Sequence, residues 1–167
     1  IQPTGEMEYY PMSSSQRRLY ILNQLEGARV AYNMPEFMLL EGSIDIERFE
    51  KALDQLVKRH EAFRTSFHMV DGEPVQKVHD EVEFSIMYME TGEEKASEAA
   101  NEFIRPFDLG KAPLLRAGLV KIREDRHVMM LDKHHIISDG VSDEILVREF
   151  ISLYEGMNLP ALQIQYK

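Results

Sequence analysis

One stretch of the chain places several reactive side chain types together, the segment KHHIISDGVS at Lys133–Ser142. Histidine can take up or release a proton near neutral pH because its ordinary pKa is about 6.5. Adjacent residues at the end of a strand point to opposite faces, so one imidazole is expected in a cleft and the other inside the protein. Three interpretations follow: a histidine base, a metal site, or an ordinary strand-to-helix turn.

A metal site is the least favoured of these three. Neighbouring histidines that face opposite ways cannot easily chelate one ion, and no other histidine stands one helical turn from them. The sequence also has no cysteine, which removes thiolate ligands and disulfides. Asp-Gly pairs are common in turns. The residue types taken alone therefore favour a structural turn over catalysis.

The residues after the histidine pair are predicted to begin a helix. Gly140 lets the backbone approach a ligand closely, and the free amides at a helix start favour a developing negative charge. Arg64, in the segment RHEAFRTSF, is expected to face inward from a strand. A buried arginine is costly unless it is paired, so Asp139 is its expected partner. The Gln16, Arg17 and Arg18 cluster is interpreted as a solvated helix face.

The elements that would position these residues alternate between helix and strand patterns. Helical spacing, caps and breakers predict helices over 13–26, 43–61, 93–105 and 139–156. Strands are predicted over 32–42 and 83–90, with hairpins over 63–79 and 114–135. This order predicts an α/β fold, a two-layer sandwich lobe whose mixed, largely antiparallel sheet is covered by helices. Residues 1–10 are predicted to be a linker or arm, and 11–167 the lobe.

Composition excludes several classes of function. The chain has 167 residues, 44% of them apolar, which is enough for one domain with a real core. A net charge of −10 disfavours binding to nucleic acid and to anionic membranes. No stretch approaches the roughly 20 apolar residues of a membrane span, and the first residues lack the pattern of a signal peptide. The lack of cysteine fits a cytoplasmic location, and a first residue other than methionine suggests a piece of a longer protein.

Three motifs together resemble one family. HHIISDG at 134–140 matches the HHxxxDG signature of the condensation domains of non-ribosomal peptide synthetases, which chloramphenicol acetyltransferase and related acyltransferases share. SSSQRRLYIL at 13–22 resembles the opening motif SxAQxRLWxL of condensation domains, and RHEAFRTSF at 59–67 resembles their RHExLRTxF. The order and spacing agree from about Met7 onward. The resemblance implies a chloramphenicol acetyltransferase-like fold.

The resemblance also implies an activity. Such domains join an acyl or peptidyl thioester, held on the phosphopantetheine arm of an upstream carrier domain, to the amine of a downstream aminoacyl thioester. His135 would take the proton of that amine or position it, and His134 would be largely structural. Gly140 would line the site near the oxyanion, while Asp139 would pair with Arg64. No cofactor or metal is expected to bind the chain directly.

The implied partners are upstream and downstream peptidyl carrier domains, an adenylation domain and a second, C-terminal lobe. The chain is expected to cover only the first lobe, so by itself it should have little activity. Three alternatives remain: an epimerising domain of the same family, a free-standing coenzyme A-dependent acyltransferase, and a non-catalytic module that docks carrier proteins. Two residues depart from the family pattern, Lys133 in place of methionine and Val141 in place of a frequent tryptophan.

Overall fold

The computed structural model describes residues 5–25 and 30–165. The elements follow the predicted order, with one additional short strand at the start. Their bounds are β1 Tyr10–Pro11, α1 Ser14–Asn23, β2 Asn33–Glu41, α2 Ile46–Arg59, a 3₁₀ turn Glu61–Arg64, β3 Thr65–Val70, β4 Glu73–Val78, β5 Met87–Glu90, α3 Glu93–Phe103, β6 Leu115–Arg123, β7 Arg126–His134 and α4 Gly140–Tyr154.

Local sequence signals explain where three of the helices begin. Ser13 caps α1, and its hydroxyl accepts from the Gln16 N–H while the Gln16 side chain accepts from the Ser13 N–H. Asp45 caps α2 through the Arg48 N–H. Asp139 does the same for α4 through the Ser142 N–H. Gly156, with a φ of +82°, lies just after α4, as expected of a helix stop.

The strands form two sheets, where the sequence pattern predicted one. One sheet has the order β1-β4-β3, and the other has the order β2-β7-β6-β5. All pairs are antiparallel except β5 with β6, so the larger sheet is mixed. The predicted α/β class with a mixed, largely antiparallel sheet is therefore confirmed. The β3–β4 hairpin turns at Asp71 and Gly72, both with positive φ, which is the geometry of a tight two-residue connection.

Helices pack on both faces of the larger sheet. Helices α2 and α4 cover one face, where Leu56 and Leu146 pack with Met129 and Leu131 of β7. Helix α3 covers part of the opposite face, where Met130 is fully buried. Because side chains alternate along a strand, β7 sends odd-numbered residues toward α2 and α4 and even-numbered residues toward α3. This alternation sets the two histidines at its end on different sides.

The start of the chain is partly built into the fold. Residues 1–4 of the predicted arm lie outside the described residues, but Tyr10 is buried and pairs with Gln76 of β4. Gln16, predicted to lie on a solvated face, is also buried and donates to the Gln76 side chain. That prediction was wrong for Gln16, because the capping box turns its amide inward. Arg17 is exposed, as predicted.

Among the helices in the described parts of the chain, none has the length and apolar character needed to cross a membrane.

A cavity substitution tests the role of α2 in this core. Leu56→Ala should lower the free energy of unfolding by about 2–5 kcal/mol, because Leu56 is fully buried between α2 and the sheet. Leu39→Ala is the matched control, since half of the Leu39 side chain is exposed, and it should change stability by only about 0.5 kcal/mol. Urea unfolding of both variants measures the difference, and equal losses would contradict the described packing.

Candidate active site

A groove of about 620 Å³ lies where β7 ends and α4 begins. Its walls come from the start of α1, the 3₁₀ turn after α2, the loop 135–139 and the first two turns of α4. Segment 162–165 completes one wall, where the Gln165 side chain donates to the Arg59 carbonyl and accepts from the Glu61 N–H. Of the predicted site residues, His135 and Asp139 line this groove.

His134 lies behind the groove and is fully buried. Its Nδ1 accepts from the Ile136 N–H at 3.1 Å, and the Asn23 side-chain amide lies 3.2 Å from its Nε2. The rings of Tyr32 and Phe107 pack against it. Burial, with a smaller effect of the neighbouring His135, lowers the pKa of His134 to about 4. His134 is therefore neutral at pH 7.

His135 is exposed on the groove side, so the two imidazoles do point to opposite faces. Its Nδ1 lies 2.7 Å from the Ser138 carbonyl oxygen. A carbonyl can only accept, so Nδ1 carries the proton and donates. The neutral ring consequently has its lone pair on Nε2. The structure gives His135 the protonation pattern that a base requires.

The predicted ion pair between Arg64 and Asp139 is wrong, because each group has a nearer partner. The Asp139 carboxylate accepts from the Ser142 N–H at 2.9 Å and from the Ser142 hydroxyl at 2.7 Å. These bonds, the backbone one first, hold the pKa of the Asp139 carboxyl below its ordinary value. Arg64 Nη1 instead donates to the carbonyl oxygens of His79 and Asp80. Arg64 does not line the groove.

Gly140 is the first residue of α4, directly beside the groove-lining Asp139. Space around it is open, since a Cβ added there would meet no atom within 4 Å. The Asp139 carboxylate occupies the first amides of α4, so the helix start is already matched to a negative charge. The amides of α4 are therefore a weaker oxyanion site than the sequence alone suggested.

Lys133, treated in the sequence as a departure from the family pattern, is completely buried. Its Nζ lies 2.6 Å from Glu36 Oε1 and 2.8 Å from Asp143 Oδ1. The same Asp143 oxygen accepts from the Ser138 hydroxyl at 3.0 Å. Sequence reasoning missed this network. The available signal was a lysine two residues before His135, hence on the same face of the strand as His135 and the apolar Met129 and Leu131.

A second group of charged residues lies beside the groove wall that contains His60. Glu149 of α4 accepts from Arg59 in a two-bond contact of 2.9 and 3.2 Å, and it lies 2.7 Å from His60 Nε2. Burial would raise the pKa of Glu149, but the hydrogen bonds from Arg59 and His60 outweigh it and lower that pKa. The contact ties α4 to the end of α2. No cluster of His, Asp and Glu that could hold a metal ion occurs within residues 5–25 and 30–165.

Comparison with known proteins identifies the family. The Condensation domain family matches residues 6–167, nearly the whole chain. The chain belongs to the condensation-domain family. The resemblance drawn from the three motifs is thereby confirmed.

Relatives of this condensation-domain chain are peptide synthases. Tyrocidine synthase 3 of Brevibacillus parabrevis is 56% identical over 167 residues, which are 100% of the chain and 3% of that protein. Bacitracin synthase 3 of Bacillus licheniformis is 57% identical, again over 100% of the chain and 3% of the relative. Gramicidin S synthase 2 of Aneurinibacillus migulanus is 51% identical over 100% of the chain, and the match covers 4% of that protein. The chain thus spans only a small part of these relatives.

Two solved condensation domains and one X-domain share the fold. The condensation domain of the Monacolin K polyketide synthase MokA superposes with a TM-score of 0.86 at 24% identity, over 96% of this chain and 37% of that one. The starter condensation domain of rhizomide synthetase RzmA superposes with a TM-score of 0.81 at 22% identity, over 92% of this chain and 40% of that one. The X-domain from teicoplanin biosynthesis superposes with a TM-score of 0.87 at 24% identity, over 98% of this chain and 37% of that one. The predicted chloramphenicol acetyltransferase-like fold class is confirmed.

Buried neutral His134 should make the stability of the condensation-domain chain depend on pH. Between about pH 4 and 6.5 the unfolded chain binds more protons at this residue than the native chain, so the free energy of unfolding rises with pH across that window. Titration of His134 changes the free energy of unfolding by about 3 kcal/mol in total, and this stability is lost as the pH falls from 6.5 toward 4.

His134→Asn keeps an acceptor near the Ile136 N–H but cannot titrate, so its unfolding free energy should fall less steeply between pH 6.5 and 4 than that of the wild type. Urea unfolding at a series of pH values gives the two slopes. His135→Asn is the matched control and should keep most of the wild-type slope, because burial, the larger cause of the lowered His134 pKa, is unchanged in it. Equal slopes for His134→Asn and wild type would contradict a buried neutral His134.

Proposed function

We propose that this condensation domain forms amide bonds in non-ribosomal peptide synthesis, with His135 as the residue that acts on the attacking amine. One observation carries the proposal: His135 lines the groove with Nδ1–H bound to the Ser138 carbonyl and Nε2 left as a free lone pair. The peptide-synthase relatives support the same reaction class.

The reaction joins the nitrogen of an aminoacyl thioester to the carbonyl carbon of an acyl or peptidyl thioester. The new C–N bond forms as the C–S bond of the donor breaks, and the released sulfur leaves as a thiol. The amine loses one proton in the process. His135 Nε2 either accepts that proton or holds the amine in line with the carbonyl through a hydrogen bond. Either role needs the tautomer that the Ser138 carbonyl selects.

His134, Asp139, Gly140 and Arg64 are proposed to shape the site without touching the transferred proton. His134 supports the strand end from behind, as a neutral ring. Asp139 holds the first turn of α4, and Gly140 keeps the space next to it open for the reacting carbonyl. Arg64 does not pair with Asp139. It is proposed to act only by holding the loop at His79 and Asp80, to whose carbonyl oxygens it donates.

The substrates would arrive on phosphopantetheine arms of upstream and downstream peptidyl carrier domains, with an adenylation domain loading the acceptor. No cofactor would bind the chain itself. A second lobe, corresponding to the larger part of the solved condensation domains that this chain does not match, would close the groove. The net charge of −10 supports the exclusion of nucleic acid and anionic membranes as partners. The proposed location is the cytoplasm.

The central test is His135→Ala in a longer synthetase chain that contains these residues. The rate of amide formation from a loaded donor and a loaded acceptor carrier should fall about a hundredfold or more, because the general acid–base or positioning group is lost. Single-turnover assays with both carriers measure it. His68→Ala is the matched control, since His68 lies on β3 outside this groove, and it should stay close to wild type.

Measuring carrier binding separates the possible explanations of a lower rate of amide formation in His135→Ala. Unchanged binding of the loaded carriers with a lower rate supports action on the amine. Loss of binding together with rate would favour a structural role for His135, and a rate near wild type would contradict the proposal and favour a docking module with idle histidines.

The chain by itself should condense thioesters at least about a hundredfold more slowly than the longer synthetase, because His135 is exposed in a groove that does not exclude water. The same carrier assay measures this, with the His135→Ala chain as the background. A rate near that of the longer synthetase would show that the groove is sufficient without a second lobe.

A further inference from the structure

We propose that Lys133 is a positioning residue that fixes the tautomer of His135 through Asp143 and Ser138. The inference deepens the proposed function, because it names a group that prepares the same histidine for its reaction. Lys133 contacts neither the groove nor His135 directly. It acts through a continuous set of short polar contacts.

The first step is the burial of the Lys133 charge. Its side chain has no exposed surface, so the ammonium group is stabilised by its contacts with Glu36 and Asp143 in place of water. Glu36 lies on β2 and Asp143 in the first turn of α4, so one cation joins the edge strand of the sheet to the helix that follows the histidine pair. An apolar residue at 133 would leave two carboxylates facing each other without a counter-ion.

The second step is the position of Asp143. Its Oδ1 contacts Lys133 Nζ and also accepts the Ser138 hydroxyl at 3.0 Å. Ser138 is buried, so this is a specific contact and not a solvated one. The lysine therefore fixes the carboxylate, and the carboxylate fixes Ser138 at the end of the loop.

The third step is the Ser138 backbone. Its carbonyl oxygen accepts from His135 Nδ1 at 2.7 Å, and this bond keeps the lone pair of the neutral ring on Nε2. If Ser138 moves, the Nδ1–H tautomer loses its partner and the proton can reside on either nitrogen. A ring with its proton on Nε2 cannot accept one from an amine in the groove. The geometry thus links a buried ammonium group to the tautomer of an exposed histidine.

The test uses Lys133→Met, which removes the charge with little change of volume. In the folded chain, ¹⁵N NMR of the imidazoles at a pH where His135 is neutral should change from one tautomer, with Nδ1–H, to a mixture of both. The His135 signals are assigned by their loss in His135→Gln. Lys121→Met is the matched control: Lys121 lies near the far end of β6 and also contacts two carboxylates, Glu90 and Glu124, so the His135 tautomer should stay as in wild type.

Ser138→Ala tests the route. It removes the hydroxyl that binds Asp143 but leaves the Lys133 contacts, and it should give the same tautomer mixture. The Lys133→Met/Ser138→Ala double variant should be no worse than the worse single variant, because both break one chain of contacts. A double variant whose tautomer shift exceeds that of either single variant would overturn the proposal. A folded Lys133→Met chain in which His135 keeps the wild-type tautomer would overturn it as well.

Should Lys133→Met not fold, Asp143→Asn and Ser138→Ala still test the route on which the proposal depends, because both leave the Lys133–Glu36 pair in place. An unchanged tautomer in both would overturn the route through Asp143 and Ser138.

Activity in the longer synthetase is a separate readout. Lys133→Met should lower kcat about tenfold to a hundredfold and leave the KM for loaded carriers nearly unchanged, because a misplaced base affects the chemical step. A synthetase without condensation activity in the wild type would refute the proposed function, while the NMR result would still decide the role of Lys133. A change in KM alone would overturn the positioning role.

Discussion

Strand β7 carries three consecutive ionisable side chains into the interior, and the need to pair them organises the site. Asp132, Lys133 and His134 are all fully buried. A buried charge without a partner costs several kcal/mol, on the order of the whole stability of a domain, so Asp132 and Lys133 must each meet a group of opposite charge, while His134 is buried as a neutral ring. The place of β7 between β2 and β6 makes this possible, because it gives the strand a neighbour on each side.

The partners come from different parts of the chain and so tie those parts together. Asp132 accepts from Arg116 of β6 at 2.9 Å and from Asn33 of β2 at 2.7 Å. Burial raises the pKa of Asp132, and the hydrogen bond from Asn33 and the charge of Arg116 oppose that rise. The Arg116 guanidinium also stacks on Phe107, 3.6 Å from the ring centre, and that ring packs edge-on against His134. Packed side chains therefore fill the space behind the histidine pair.

Much of the fold could be predicted because its signals are local. The start signals at Ser13 to Ser15 and at Ser43 or Asp45, and the breaker at Gly156, are read from a few neighbouring residues, as is the apolar run at 128–131 of β7. The opposite orientation of His134 and His135 follows from strand geometry alone. These predictions needed no knowledge of which elements meet.

The failed predictions concern the choice of partner between distant segments. Arg64 and Asp139 have complementary charges, but Asp139 is used by its own helix cap and Arg64 by the carbonyls that follow β4. The Lys133–Glu36 contact joins residues 97 positions apart, and nothing local to either marks the pairing. Charge complementarity without the fold therefore identifies which groups need partners but not which partners they take.

The apolar pair inside the histidine motif explains how a short loop can hold a base. Ile136 is buried against the cluster that contains Phe67 and Leu114, and Ile137 packs against both this cluster and the one beneath α2. The Ile137 N–H donates to the His134 carbonyl, which closes the turn over the two side chains. Both isoleucines are packed, and the loop continues from them through Ser138 into α4. The Ser138 hydroxyl is held by Asp143, and the carbonyl of the same residue accepts from His135. Apolar anchoring thus sets where His135 lies, and the buried charges set which of its nitrogens faces the groove without a proton.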